Sequence, residues 1–194
     1  VCNAVEELGQ LLDHNGAIGE SERNAARIFN ADHCFFVTNG TSTSNKMVWH
    51  HTVAPNDVVV VDRNCHKSVH HGVVLSGALP VYLDSSINPE FGLFGPVPKA
   101  TLFQAMEDHP DAKAMVLTSC TYDGLCYNAE LIKQTLAGSV EVMHFDEAWL
   151  PHAAFHPFYG TYHAMGKNRA RPKEAVVYST QSIHKLLAGI NQAS

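Results

Sequence analysis

The feature that most narrows the folds open to this chain is a regular alternation of short apolar runs with amphipathic stretches. Runs at His33–Val37, Asp57–Val61, Leu79–Leu83, Lys113–Thr118, Val140–Phe145 and Ala175–Ser179 each give way to a polar or glycine-marked turn, and they read as strands. The segments around them, Glu20–Phe29, Thr41–Ala54, Lys67–Ser76, Pro98–Asp108 and Ala129–Leu136, carry apolar residues at three- and four-residue steps, as amphipathic helices do. Parallel neighbours need long crossover connections, so the alternation predicts a three-layer α/β domain: a mostly parallel sheet with helices on both faces. At 194 residues, 45% of them hydrophobic, the chain can bury one large core. No repeat, low-complexity tract or composition shift marks a second domain.

Other classes are excluded one by one. A formal net charge of -6 offers no basic patch or stripe for a polyanion, which argues against nucleic acid as a partner. The longest strongly apolar run is the VVVV between Asp57 and Asp62, far short of the roughly 18 to 20 residues of a membrane span, so no membrane role is expected. The opening VCNAVEELGQLLDHNG has neither the basic start nor the apolar run of a secretory signal, and it starts without methionine, as a fragment would. Five cysteines without a paired CxxC set point to a reducing, cytoplasmic setting rather than a disulfide framework. Thirteen histidines invite a metal reading, but His50–His51 and His70–His71 are adjacent pairs that diverge on a helix, so no metal site is expected.

In an open parallel sheet, chemistry gathers beyond the carboxyl ends of the strands. After the first apolar run comes TNGTSTSNK, with Gly40 at a tight turn and Thr41, Ser42, Thr43 and Ser44 opening a helix. Hydroxyls and free N–H groups there suit a phosphate, although such residues also cap ordinary helices. After the second comes DRNCHKS, where His66 could stack on a flat ring or merely cap the next helix. The run VEVMHFDEAW places His144 and Asp146 on one face and Trp149 close by. A buried aspartate needs a cation, which a protonated pyridine nitrogen or an arginine could supply. STQSIHKLLAG sets Ser182, His184 and Lys185 just before an apolar helix, and a lysine at an apolar rim can have its pKa lowered enough to form an imine. The irregular stretches Asp84–Pro98 and Pro151–Pro172 read as functional loops. Together these groups supply what pyridoxal 5′-phosphate (PLP) requires: phosphate donors, a stacking ring, a carboxylate and an amine.

NGTSTSNK, VVVVDRNCHKS, TYDGLCYN, HFDEAW and STQSIHKLLAGINQAS, in this order and over nearly the whole chain, resemble the bacterial ornithine/lysine/arginine decarboxylases. The resemblance implies the aspartate-aminotransferase-like PLP fold, with residues 1–194 forming an incomplete PLP-binding major domain that lacks the family's N-terminal wing and C-terminal domains. It implies that Lys185 is the imine-forming lysine, that Asp146 pairs with the pyridine nitrogen, that His66 stacks on the ring, and that Thr41, Ser42 and Ser182 contact the phosphate. Trp149 and His184 would line the same pocket, with Glu147 a further candidate. The implied activity is decarboxylation of a basic amino acid to its amine, used in acid stress, in a homodimer or larger homo-oligomer. HFDEAW together with the TYHAMG stretch leans toward arginine over lysine or ornithine. An aminotransferase of the same fold and a truncated, non-catalytic homologue are the competing readings.

Overall fold

The computed structural model describes residues 5–166 and 175–194. The first residues of the opening segment, Cys2 among them, and the end of the Pro151–Pro172 loop lie outside those residues. After a short 3-10 turn at Glu6–Leu8, the elements in chain order are α1 (Gly16–Phe29), α2 (Thr41–Thr52), β1 (Val58–Asp62), α3 (Lys67–Ser76), β2 (Leu79–Leu83), the two-residue strands β3 (Ile87–Asn88) and β4 (Leu93–Phe94), α4 (Lys99–Asp108), β5 (Ala114–Thr118), α5 (Ala129–Leu136), β6 (Val142–Asp146), β7 (Val176–Thr180) and the single turn α6 (Ile183–Leu186). Five strands form one sheet in the order β2-β1-β5-β6-β7. Each of its pairings is parallel.

The chain runs outward from β1 through α3 to β2, then returns past β1 to β5, so the winding reverses between β1 and β5. In open parallel sheets a reversal of this kind is where ligands bind, beyond the carboxyl ends of the strands. Period-two alternation explains the layers. Val59, Val61, Val116 and Val142 pack under Trp49 and Val53 of α2 and its flank and under Val69 and Val73 of α3. Val60, Met115, Leu117, Met143 and Phe145 point the other way, toward Leu102 and Met106 of α4 and Ile132 and Leu136 of α5. Strands covered on both faces read as continuous apolar runs, as β1 does. Val59, Val60 and Val61 are 0% exposed, and a fully buried valine contributes about 1.5 kcal/mol or more.

Helices α2 and α3 meet closely because Gly72 has no side chain: a Cβ there would stand 2.8 Å from Trp49 Cγ. On the opposite face the buried Lys133 of α5 donates to the Ala164 carbonyl at 2.7 Å and lies 3.1 Å from Glu130 Oε2. A cation in the core thus has both a carbonyl and a carboxylate as neighbours, which offsets the cost of removing it from water.

The structure corrects several expectations. His33–Val37 is not a strand of the sheet. A strand needs a backbone partner along its length, and here only Val37 has one, exchanging N–H···O bonds of 2.8 and 3.0 Å with Ser194, while the Phe36 N–H donates to the Glu22 carboxylate at 2.9 Å. The expected Asp57–Val61 appears as Val58–Asp62 because the Asp57 carboxylate accepts the Ala54 N–H at 2.8 Å and belongs to the preceding turn. The Asp84–Pro98 loop contains the β3–β4 hairpin, Ile87 pairing with Phe94. The helix expected after Lys185 is only the turn Ile183–Leu186.

Candidate active site

Residues Val142, His144 and Asp146 face α2, and the carboxylate of Asp146, 3% exposed, ends β6 at the rim of the sheet. Its Oδ1 accepts the Ala148 N–H at 3.1 Å and its Oδ2 accepts Nδ2 of Asn45 at 2.9 Å. Among the described residues no lysine or arginine stands within ion-pair distance of it. The arginine partner weighed from sequence is therefore not found among them, and two hydrogen bonds are what hold this buried carboxylate.

Asn45, 1% exposed and one helical turn along from Thr41, makes further bonds. Nδ2 also donates to Ser68 Oγ at 2.9 Å, and Oδ1 accepts from Thr180 Oγ1 at 2.6 Å. The carboxylate fixes the orientation of this amide, since the reversed placement would set two oxygens against each other. The remaining protons follow. Ser68 Oγ donates to His66 Nδ1 at 2.8 Å, and the Ser68 backbone N–H donates to the same nitrogen at 3.2 Å. The Thr180 hydroxyl proton is spent on Asn45, so its oxygen accepts from His144 Nε2 at 3.0 Å, leaving His144 Nδ1 bare and without a partner. Burial, more than the lysines Lys185 and Lys67, holds the His66 pKa below its ordinary value, while Asp146 pulls it up.

His144 is wholly interior, and burial pushes its pKa down from 6.5 to about 4 against the pull of Asp146. The unfolded chain therefore takes up a proton before the folded one does. The stability that a neutral His144 supplies is fully present above pH 6.5 and is lost as pH falls toward 4, by about 3 kcal/mol at most. His144→Gln keeps a donor for Thr180 but does not titrate, so urea unfolding from pH 7 to pH 4 should show the wild type losing ground to the variant. Parallel curves would contradict the assignment.

The start of α2 gathers hydroxyls. Gly40, at φ 72, is the residue before the helix, a backbone setting that favours glycine, and no side chain caps the end. The capping role open to Thr41 and Ser42 is thus not the one they play. Thr41 Oγ1 lies 2.5 Å from Ser182 Oγ and 3.3 Å from Ser194 Oγ, and Ser44 Oγ lies 2.6 Å from Ser194 Oγ. Ser42 is half-buried beside them, next to the free N–H groups of the helix start.

Lys185 reaches back over Trp149, its Nζ 5.5 Å from the ring centroid, and Tyr122 meets the same ring edge-on at 5.1 Å. The side chain is largely exposed, yet its remaining desolvation lowers the ammonium pKa, with Asp146 opposing. His184 Nδ1 bonds to the Ala193 carbonyl at 3.0 Å and ties down the segment that follows. His66 is the cap of α3, its side chain accepting the Ser68 N–H. Glu147 points to the opposite side of Asp146, 0% exposed, accepting the Ala164 N–H at 2.6 Å, His163 Nε2 at 3.2 Å and the Ser179 hydroxyl. The HFDEAW and TYHAMG stretches thus meet in the interior.

Sequence reasoning placed Ser44 among the hydroxyls of the helix start and Thr180 among those before Lys185, but passed over Asn45, Ser68 and Ser194. Asn45 stands within one helical turn of Thr41, and Ser68 two residues after His66, which are the spacings that could have brought them in.

A parallel sheet that ends in a buried carboxylate, a hydroxyl-rich helix start and a lysine with a lowered pKa is an α/β domain equipped for a phosphorylated aromatic aldehyde. The chain belongs to the Orn/Lys/Arg decarboxylase family, whose major-domain model matches residues 1–194. It is similar to the lysine decarboxylase LdcA of Pseudomonas aeruginosa, 51% identical over 98% of this chain and 27% of the relative. It is also similar to the biodegradative arginine decarboxylase of Escherichia coli, 44% identical over 96% of this chain and 26% of the relative. The solved constitutive lysine decarboxylase of E. coli superposes with a TM-score of 0.90 at 40% identity, covering 100% of this chain and 28% of that one. The chain thus spans about a quarter of the length of the relatives it matches.

Proposed function

We propose that this chain is the cofactor-holding part of a decarboxylase that converts a basic amino acid to its amine and CO2 with PLP, the cofactor of its family. The observation that carries the reading is Asp146, a buried carboxylate with no cationic partner among the described residues, on the same rim as Lys185. A protonated ring nitrogen is the cation such a group lacks.

The residues present fit the group. Thr41, Ser42 and Ser182 supply hydroxyl donors for a phosphate, and the first turn of α2 adds backbone N–H groups. Asp146 holds a proton on the ring nitrogen. His66, neutral and fixed through Nδ1, offers a flat apolar face for stacking. Lys185 supplies the amine that bonds to the aldehyde, its Nζ held over the Trp149 ring. When bound, PLP supplies an electron-accepting ring that takes up the pair freed as the carboxylate leaves as CO2. One proton is then taken up at the carbon that lost the carboxylate, which gives the amine.

Lysine is the first substrate to try. The lean toward arginine rested on HFDEAW and TYHAMG, and in the fold Glu147 and His163 of those stretches are each 0% exposed and turned to one another, where neither can read a substrate. The relative named for lysine is 51% identical and the one named for arginine 44%. The test is the full-length protein incubated with PLP and lysine, arginine or ornithine in turn, with amine and CO2 measured together. Equal amounts of both from lysine are expected. A keto acid without CO2 would point instead to an aminotransferase, and no product from any of the three would overturn the reading. A homodimer or larger assembly belongs to the same proposal and is read from the mass of the full-length protein in solution.

A further inference from the structure

We propose that Asn45 is a positioning residue that locks the Asp146 carboxylate and the His66 imidazole to each other, so that the ring-nitrogen partner and the stacking ring are set by one amide. The inference rests on the PLP reading above. Its basis is a continuous run of hydrogen bonds with a single polarity. From one end, His144 Nε2 donates to Thr180, Thr180 to Asn45 Oδ1, Asn45 Nδ2 to both Asp146 and Ser68, and Ser68 to His66 Nδ1.

Asn45 is the only branching point in this run. An amide carries two N–H donors and a carbonyl acceptor, and here both donors and the carbonyl are engaged at 2.9, 2.9 and 2.6 Å. No other side chain of that size supplies the set: aspartate has no donors, and leucine has no polar atoms. The consequence at each end is specific. The Asp146 Oδ2 lone pair directed at Asn45 is occupied, so the carboxylate cannot rotate toward α2. The His66 ring is held with Nδ1 as acceptor, which leaves its proton on Nε2 and the ring uncharged. A charged imidazole in that place would repel a protonated ring nitrogen, so the bonds that keep His66 neutral also serve Asp146. Four elements contribute: Asn45 from α2, Ser68 from α3, His144 and Asp146 from β6 and Thr180 from the end of β7.

The experiment compares Asn45→Ala and Asn45→Asp with wild type in the full-length protein, titrating PLP by the visible absorbance and circular dichroism of the lysine-bound form across pH. If Asn45 acts by donating, both variants weaken PLP binding by about tenfold or more at neutral pH, and Asn45→Asp is at least as impaired as Asn45→Ala, because it sets an oxygen 2.9 Å from Asp146 Oδ2. The Asn45→Asp defect, relative to wild type, shrinks as pH falls, since a protonated aspartate regains one donor. A space-filling role predicts the reverse order, with Asn45→Asp near wild type and Asn45→Ala impaired, and a flat pH profile; that result overturns the proposal. Should neither variant fold, Ser68→Ala carries the test: a loss of PLP affinity of about threefold or more supports the link to His66, and unchanged affinity overturns it. The wild type keeps the two hypotheses apart. If it forms no visible band that Lys185→Ala abolishes, the PLP reading fails and this one with it; a normal wild-type band with unaltered Asn45 variants overturns the Asn45 role alone.

Discussion

Replacing Lys185 by alanine in the full-length protein is expected to abolish the visible band of bound PLP and to lower the rate of amine formation by roughly 10³-fold or more. The size follows from what the side chain does. Lys185 sits over Trp149, its Nζ 5.5 Å from the ring, and partial burial lowers its pKa, so a larger share of it is the free base that can attack an aldehyde. Asp146 opposes that shift, which keeps the lysine on the rim attractive to a proton as well. Alanine removes both properties without touching the core, because α6 is one turn long and Lys185 is largely exposed. The unfolding midpoint of the PLP-free protein should therefore stay close to wild type. A variant that kept the band would move the amine to another lysine and sink the assignment.

Asp146→Asn is the second large effect, expected to cost about 10² to 10³-fold in kcat while the Lys185-dependent band still forms. The neutral amide cannot hold a proton on the ring nitrogen, so the loss appears in the chemical step rather than in cofactor capture. It also disturbs the apo site in a defined way: an amide N–H in place of Oδ2 would face the Asn45 Nδ2 donor, 2.9 Å away in wild type. Reversing Asn45 to relieve that contact would cost its bonds to Ser68 and Thr180. Steady-state kinetics with lysine separate the outcomes, since a raised KM with unchanged kcat would make Asp146 a substrate-binding residue instead.

Much of this architecture could be read from local pattern. The alternation of apolar runs with helical periodicity led to the parallel three-layer sheet, because burial on both faces demands continuous apolar strands, and β1, with Val59, Val60 and Val61 fully buried, is the clearest case. The positions of His66, Asp146 and Ser182 followed from the same logic, since a polar residue directly after a buried strand has only the carboxyl rim to occupy.

Other features needed the folded chain. His33–Val37 has the composition of a strand, but whether it joins a sheet depends on a partner far away in sequence, and only Val37 finds one, at Ser194. Glu147 and Asp146 are adjacent and chemically alike, yet one belongs to an interior cluster with His163 and the other to the rim; the direction of each side chain is set by the pairing of β6 with β5 and β7. Asn45 had only its one-turn spacing from Thr41 to mark it among the hydroxyls of NGTSTSNK, because its importance lies in partners 23, 101 and 135 residues away. Apart from His33–Val37 and the stretch after Lys185, the sequence by itself determined which segments are strands and helices, and it determined which rim would carry polar groups, since those follow from short-range periodicity. Which polar groups meet, and with which proton on which nitrogen, was decided only by the tertiary structure, because hydrogen-bond polarity is a property of the closed network and not of any residue within it.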